Sequence, residues 1–334
     1  MRAFACPICG RLVRFESLRC LHCEHELGFD WHPRQIVALH DRPRCAGNTL
    51  TACNGLVGED AEWCASCALT RKRPADSDGD GLEGFAEAEA AKRWLLFGLL
   101  ELGLPVVGWR DREGGLGFDL LSSTPGKAVS TGHAGGIITL DLAETDDARR
   151  EQRREELGEP YRTVLGHLRH EVGHYYQDIL APEGSAARDQ CRAIFGDDRA
   201  DYSAALDRHY DAGAPAGWAA THVSAYATMH PWEDWAETFA HYLHIRDTLQ
   251  TAEAYGMRVD GPQVATTDSA PLHSDPDDEA PDVAGLVAAW LPLTYALNAI
   301  NRSMGAADLY PFVLTAEVQR KLAFIDRCVR VASS

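Results

Sequence analysis

Five consecutive residues, His170-Glu171-Val172-Gly173-His174, constrain this 334-residue chain more than any other stretch of it. They read H-E-x-x-H inside a helix-forming run from Tyr161 to about Leu180. Residues four apart share a helix face, so His170 and His174 can hold one zinc ion while Glu171, one position round, reaches a water bound to it. Pro160 stands where such a helix would begin, with Glu156 and Glu159 near the positive end of its dipole. Val164, Leu165, Leu168 and Val172 form an apolar stripe, and His167, His170, Glu171 and His174 gather on another face. The bland alternative is two surface histidines around an ordinary glutamate, and the remainder of the chain has to decide between them.

Eight of the ten cysteines fall within the first 67 residues. Cys6-Pro7-Ile8-Cys9 and Cys20-Leu21-His22-Cys23 make two C-x-x-C knuckles with ten residues between them, which suits a small zinc ribbon held by four thiolates. Cys45, Cys53 and Cys64-Ala65-Ser66-Cys67 can hold a second zinc ion, although seven residues stand between Cys45 and Cys53 and these two form no tight knuckle. A disulfide framework would need an oxidising compartment, and no apolar signal core follows Met1. A redox dithiol would explain one C-x-x-C but not three with partner cysteines. Cys191 and Cys328 stand alone and read as buried thiols.

Charge limits the partners. The formal net charge is −18; through Pro74 there are 10 Lys and Arg against 8 Asp and Glu, so the rest of the chain carries 22 against 42. Each four-thiolate zinc site adds a formal negative charge of its own, so even the cysteine-rich region is close to neutral. Nucleic-acid binding wants a basic face, and only Arg71-Lys72-Arg73 offers one, which reads as a solvated linker. No run reaches membrane-spanning length; Trp94 to Trp109 comes nearest, and Glu101 and Pro105 interrupt it. A soluble, cytoplasmic protein without nucleic-acid or membrane partners is expected.

The chain divides into a zinc-ribbon region over 1–74, a linker over 75–84 rich in Asp and Gly, and a larger domain over 85–334. In the larger domain an Ala- and Leu-rich helix runs from Phe85 to about Leu102. Val106–Trp109, Gly115–Leu121 and Ile137–Leu142 read as strands. A helix, a small sheet and then the H-E-x-x-H helix is the order of an α+β zincin. The last strand would border its cleft and accept an extended substrate by strand addition. Thr131 to Gly136 either shapes the cleft rim or is a flexible turn. Residues 261–282 read as an acidic flexible loop, Val283 to Met304 as an apolar helix closed by Gly305, and Thr315 starts a last helix to about Val331.

A third ligand must come from further along, because Gln177 and Leu180 stand where a metzincin would place glycine and a third histidine. Met229 to His244 is the best source. Pro231 sits at a helix start with Glu233 and Asp234 in its first turn, and Trp235, Phe239 and Leu243 make an apolar stripe. Glu237 and His241, four apart, are the candidate third ligands, with Glu237 preferred; two histidines and a carboxylate, or three histidines, are both known catalytic zinc sets. Tyr226 and His230, just upstream, are candidate donors to a developing oxyanion, or else they pack or cap the helix.

These residues also carry a resemblance. The Cys6 to Cys23 ribbon, Gly158-Glu159-Pro160-Tyr161-Arg162 leading into His170 to Tyr176, Ser224 through His244, Asn301 to Gly305 and Asp308 to Phe312 are similar to the zinc-binding metallopeptidase family that joins an N-terminal zinc ribbon to a zincin domain. The resemblance covers nearly the whole chain. It implies a gluzincin-like site with His170, His174 and Glu237 on zinc and Glu171 as general base. One departure stands out: many gluzincins carry an aspartate four residues after the glutamate ligand to orient a zinc histidine, and that place here is His241, with Asp234 as a substitute.

Three readings follow. The leading one is a zinc metallopeptidase acting on a protein or peptide substrate, with one catalytic and two structural Zn2+ ions and ribbons that recruit a protein partner. A DNA-associated protease conflicts with the acidic charge. A non-catalytic zinc scaffold leaves Glu171 without a purpose.

Overall fold

A computed structural model of the chain describes residues 2–40, 42–123, 128–146, 163–259 and 283–333. Packing groups the chain into two compact units, one of residues 1–101 with 105–152 and one of residues 102–104 with 153–334.

The first unit begins with two hairpins, β1 (Phe4–Ala5) with β2 (Leu12–Val13) and β3 (Leu27–Asp30) with β4 (Gln35–Ala38). A single helical turn α1 (Asn48–Thr51) follows, then β5 (Thr70–Lys72) and the long helix α2 (Gly79–Glu101). Strands β6 (Gly117–Leu121), β7 (Gly132–Ala134) and β8 (Ile137–Asp141) join β5 in one sheet of order β5-β6-β8-β7, with only β7 antiparallel.

Five expectations are corrected here. The segment 75–84 is not wholly a linker, because α2 starts at Gly79, where Asp78 Oδ1 accepts from Gly81 N at 2.9 Å. Nor does the cysteine-rich region stand apart: Phe97 of α2 lies 5.8, 5.3 and 6.0 Å from the rings of Phe4, Phe15 and Phe29, and an Arg93 guanidinium donates to Thr51 O at 3.2 Å. Two short hairpins bury too little apolar surface for a core of their own, and α2 supplies the missing wall. Arg71 and Lys72 lie in a paired strand and are tied to buried Asp119, at 3.0 and 2.8 Å. Val106–Trp109 forms only a single bridge, Gly108 to Leu116, and β8 is interior, flanked by β6 and β7, so both of its edges are already paired. The edges are β5 and β7; β7 lies inside the stretch read as rim or turn, and it turns back to β8 through Gly135 and Gly136 at positive φ.

The second unit is helical among its described residues: α3 (Val164–Leu180), α4 (Ala186–Phe195), α5 (Tyr202–Ala212), α6 (Pro231–Ala254), α7 (Val283–Ser303) and α8 (Ala316–Ser333). Thr163 caps α3, its hydroxyl accepting from Gly166 N at 2.9 Å. The start expected at Pro160, with Glu156 and Glu159, lies outside the described residues, as does the loop over 261–282.

Helices α3 and α6 are in close contact. A Cβ on Gly173 would meet Ala236 Cα at 3.0 Å, and Trp235 Nε1 donates to Gly173 O at 2.9 Å. Phe239 stacks on Tyr176 at 5.6 Å, and Trp235 packs against Phe195 and Phe324, so the stripe read from the sequence is the core of this unit. Among the described residues α7 is long and apolar enough to cross a membrane by length and composition, which corrects the reading that no run is. Its Trp290, Leu293 and Asn298 are buried, Trp290 against Tyr310, and the Asn298 amide bonds the Tyr310 backbone on both sides.

Candidate metal centre and active site

The two histidines of α3 point into one spot. His170 Nε2 and His174 Nε2 lie 3.1 Å apart, and both rings are buried. The carboxylate that joins them is Glu233, from the first turn of α6: its Oε2 is 3.0 Å from His170 Nε2 and 3.5 Å from His174 Nε2. Tetrahedral ligands about 2.0–2.1 Å from a zinc ion would stand roughly 3.3 Å from one another, which these separations match. The chemistry of the donors agrees. Glu237 Oε1 sits 2.7 Å from His170 Nδ1, and a carboxylate can only accept, so Nδ1 carries a proton there and Nε2 is the nitrogen left to face His174 and Glu233. Three lone-pair donors converging at this range repel unless a cation or an extra proton lies among them.

Glu237, expected as the third ligand, lies outside this group of three, in which Glu233 stands instead. Both residues face α3, one helical turn apart, but the turn nearer the α6 N-terminus is level with the imidazole pair. Glu237 instead accepts from His170 Nδ1 and from Ser224 Oγ at 2.6 Å, the position of a residue that orients a ligand. Burial resists its ionisation, but the His170 hydrogen bond outweighs that and holds the carboxyl down at about 2. Glu233 is likewise held low against burial by His170 and His174. The same two carboxylates outweigh burial and raise His170 well above its ordinary value.

Glu171 is buried one position from His170. One carboxylate oxygen, Oε1, lies 3.2 Å from His167 Nε2, while Oε2 makes no hydrogen bond among the described residues. Burial pushes its pKa up, but His167, His170 and His174 more than offset this, so the group is an ionised carboxylate at neutral pH. Trp232 lies over His174 at 3.8 Å between ring centroids, and the Tyr226 ring is 5.9 Å from His170. Burial, then Glu233, raise the Tyr226 phenol, which stays protonated and able to donate.

Other candidates are placed elsewhere. His230 caps α6: its Nδ1 accepts from Trp232 N at 3.1 Å and its Nε2 lies 3.1 Å from Ala200 O, so both nitrogens are engaged and it is no oxyanion donor. Asp234 bonds Lys321 of α8 at 2.6 Å rather than a zinc histidine. His241 is buried beside Tyr310, with Nδ1 2.7 Å from its hydroxyl, and lies outside the ligand group. Glu233, Tyr202, Ser224 and Trp232 are the residues that sequence reasoning missed. The signal available was Glu233-x-x-x-Glu237, a ligand and an orienting carboxylate at the four-residue spacing already sought one turn later.

In the first unit, the eight clustered cysteines are thiols in two groups of four. Sγ separations of 3.6 Å (Cys6–Cys23), 3.7 Å (Cys9–Cys20), 3.7 Å (Cys53–Cys64) and 3.6 Å (Cys53–Cys67) match tetrahedral sulfurs about 2.3 Å from zinc. Cys191 and Cys328 are buried, as expected.

Comparison with known proteins agrees with this division of labour. A zinc-ribbon domain family matches residues 3–78, and the family described as "Putative zinc-binding metallo-peptidase" matches residues 81–328. Uncharacterized proteins of Mycobacterium bovis and Mycobacterium tuberculosis are each 49% identical over 335 residues, spanning 98% of this chain and 95% of theirs. No solved structure matches the chain. With three-quarters of its length matched and the histidines, carboxylates and cysteines gathered as described, the chain belongs to this zinc-binding metallo-peptidase family, with a zinc-ribbon domain at its N-terminus.

Proposed function

We propose that the chain is a zinc-dependent, gluzincin-like metallopeptidase that hydrolyses peptide bonds of a protein or peptide substrate. The observation that carries this is the convergence of His170 Nε2, His174 Nε2 and Glu233 Oε2, with Glu171 buried alongside as an ionised carboxylate. The resemblance supports it in a way the sequence alone obscured. With Glu233 as ligand, the carboxylate four residues later is Glu237, and it bonds His170 as the orienting acid of a gluzincin does.

Zinc bound there supplies a Lewis acid that polarises the scissile carbonyl and brings the pKa of a water towards neutrality. Glu171 takes a proton from the attacking water through Oε2 and passes it to the leaving amine. Tyr226 donates its phenol proton as a hydrogen bond to the developing oxyanion. Glu237 holds His170 in the tautomer that keeps Nε2 as a lone pair. Cys6, Cys9, Cys20 and Cys23 would hold a second zinc ion and Cys45, Cys53, Cys64 and Cys67 a third, which suits a reducing, cytoplasmic setting. The exposed Ile8, Leu12 and Leu21 beside the first cluster support recruitment of a protein partner by the ribbon.

The test separates base from ligand. Glu171→Gln should keep three zinc ions per chain and lose hydrolysis, measured by metal analysis and by comparing cellular N-termini with wild type. Glu233→Ala should retain two zinc ions and lose hydrolysis. Identical cellular N-termini in wild type and Glu171→Gln would refute the peptidase reading.

A further inference from the structure

We propose that Tyr202 is a positioning residue of the metal centre, locking Glu233 into one-oxygen ligation so that a coordination place stays open for water and substrate. This rests on the metallopeptidase reading and adds to it a residue from a third helix. Tyr202 is the first residue of α5, whose cap is the Asp201 side chain accepting from Ala204 N at 3.0 Å. The capped end fixes the backbone from which the side chain projects. The ring lies 5.4 Å from His230 and 5.8 Å from Trp232, both set by the start of α6. Its hydroxyl donates to Glu233 Oε1 at 2.9 Å.

The two Glu233 oxygens thus have separate tasks. Oε1 is spoken for by the phenol, and Oε2 alone faces His170 and His174. A carboxylate can ligate zinc through one oxygen or two, and the second oxygen fills the place a catalytic site must keep free. Within this buried site nothing else among the described hydrogen bonds restrains Oε1.

The experiment uses the full-length protein. A chelator removes the exchangeable histidine-site metal while the thiolate sites keep zinc, and Co(II) is then loaded in wild type, Tyr202→Phe and Glu233→Gln. A four-coordinate Co(II) site has no inversion centre and absorbs strongly in the visible; a five-coordinate site absorbs more weakly. Tyr202→Phe keeps the ring and removes only the hydroxyl. The expected result is an unchanged melting temperature, a weakened and shifted cobalt band, and a metal affinity lower by about 10-fold. A purely structural role predicts a lowered melting temperature with the cobalt band untouched, and that outcome, or no change at all, overturns the proposal. Wild-type protein that takes up no cobalt, or a Glu233→Gln spectrum identical to wild type, overturns the metal-site reading itself.

Discussion

Glu233 and Glu237 stand four positions apart, and that one turn decides which carboxylate joins the imidazole pair and which bonds the far nitrogen of His170. The two should therefore fail differently. Glu233→Ala should leave the histidine site without zinc, whereas Glu237→Gln, which keeps an acceptor for His170 Nδ1 but removes the charge, should lower zinc affinity by about 10- to 100-fold without abolishing binding, as read by competition with a chromogenic chelator. A second residue-scale prediction concerns pH. Burial pushes His241 down to about 4, so the native state binds fewer protons there than the unfolded chain between pH 6.5 and 4. The contribution is absent above the unfolded value and becomes a penalty as pH falls through this window, roughly 2 kcal/mol by pH 5. His241→Asn should show a smaller drop in melting temperature between pH 7 and 5 than wild type; an equal drop would mean that His241 does not titrate in this way.

At the scale of elements, the site depends on how closely α3 and α6 approach. Gly173 is the reason they can: its absent Cβ would lie 3.0 Å from Ala236 Cα and 3.1 Å from Ala236 O, backbone atoms that cannot turn aside. Alanine in mid-helix is ordinarily worth about 1 kcal/mol over glycine, but overpacking a tight interface costs about 1–3 kcal/mol. Gly173→Ala is expected to be net destabilising by about 1 kcal/mol and to weaken zinc binding, because Glu233 rides on α6 and the histidines on α3. A raised melting temperature with intact metal affinity would show that the interface has slack. The α6 stripe of Trp235, Phe239 and Leu243 was legible in the sequence because a buried helix face repeats every three to four residues. The short strand at 106–109 failed because a run of two valines beside glycine has strand propensity but, in the fold, pairs at only one residue.

Across the whole molecule, the cysteine-rich segment and α2 share one aromatic core, although the family matches meet between residues 78 and 81. A fragment of residues 1–152 is expected to be soluble with two zinc ions. A fragment of residues 85–334 uncovers Phe97, which is 1% exposed in the intact fold, together with its neighbours, and is expected to aggregate or to bind hydrophobic dyes. If residues 85–334 prove monomeric and hold one zinc ion, the shared core is dispensable and the division at the linker stands.

What the sequence determined by itself was everything that depends on short-range spacing. Two imidazoles four apart on a helix, a glutamate beside them and knuckles of cysteines three apart are set by local backbone geometry, and all appear where the spacing puts them. Which acid of α6 completes the site was decided only in three dimensions. Glu233 and Glu237 are chemically alike and share a helix face, so their roles differ only through the height at which α6 crosses α3. That height is set by the contact of Gly173 with Ala236 and by the anchoring of Trp235, between residues more than 60 positions apart. The same holds for Tyr202, whose hydroxyl finds Glu233 across 31 residues, and for the wall that α2 lends to the ribbons: no periodicity within a segment encodes which other segment it will meet.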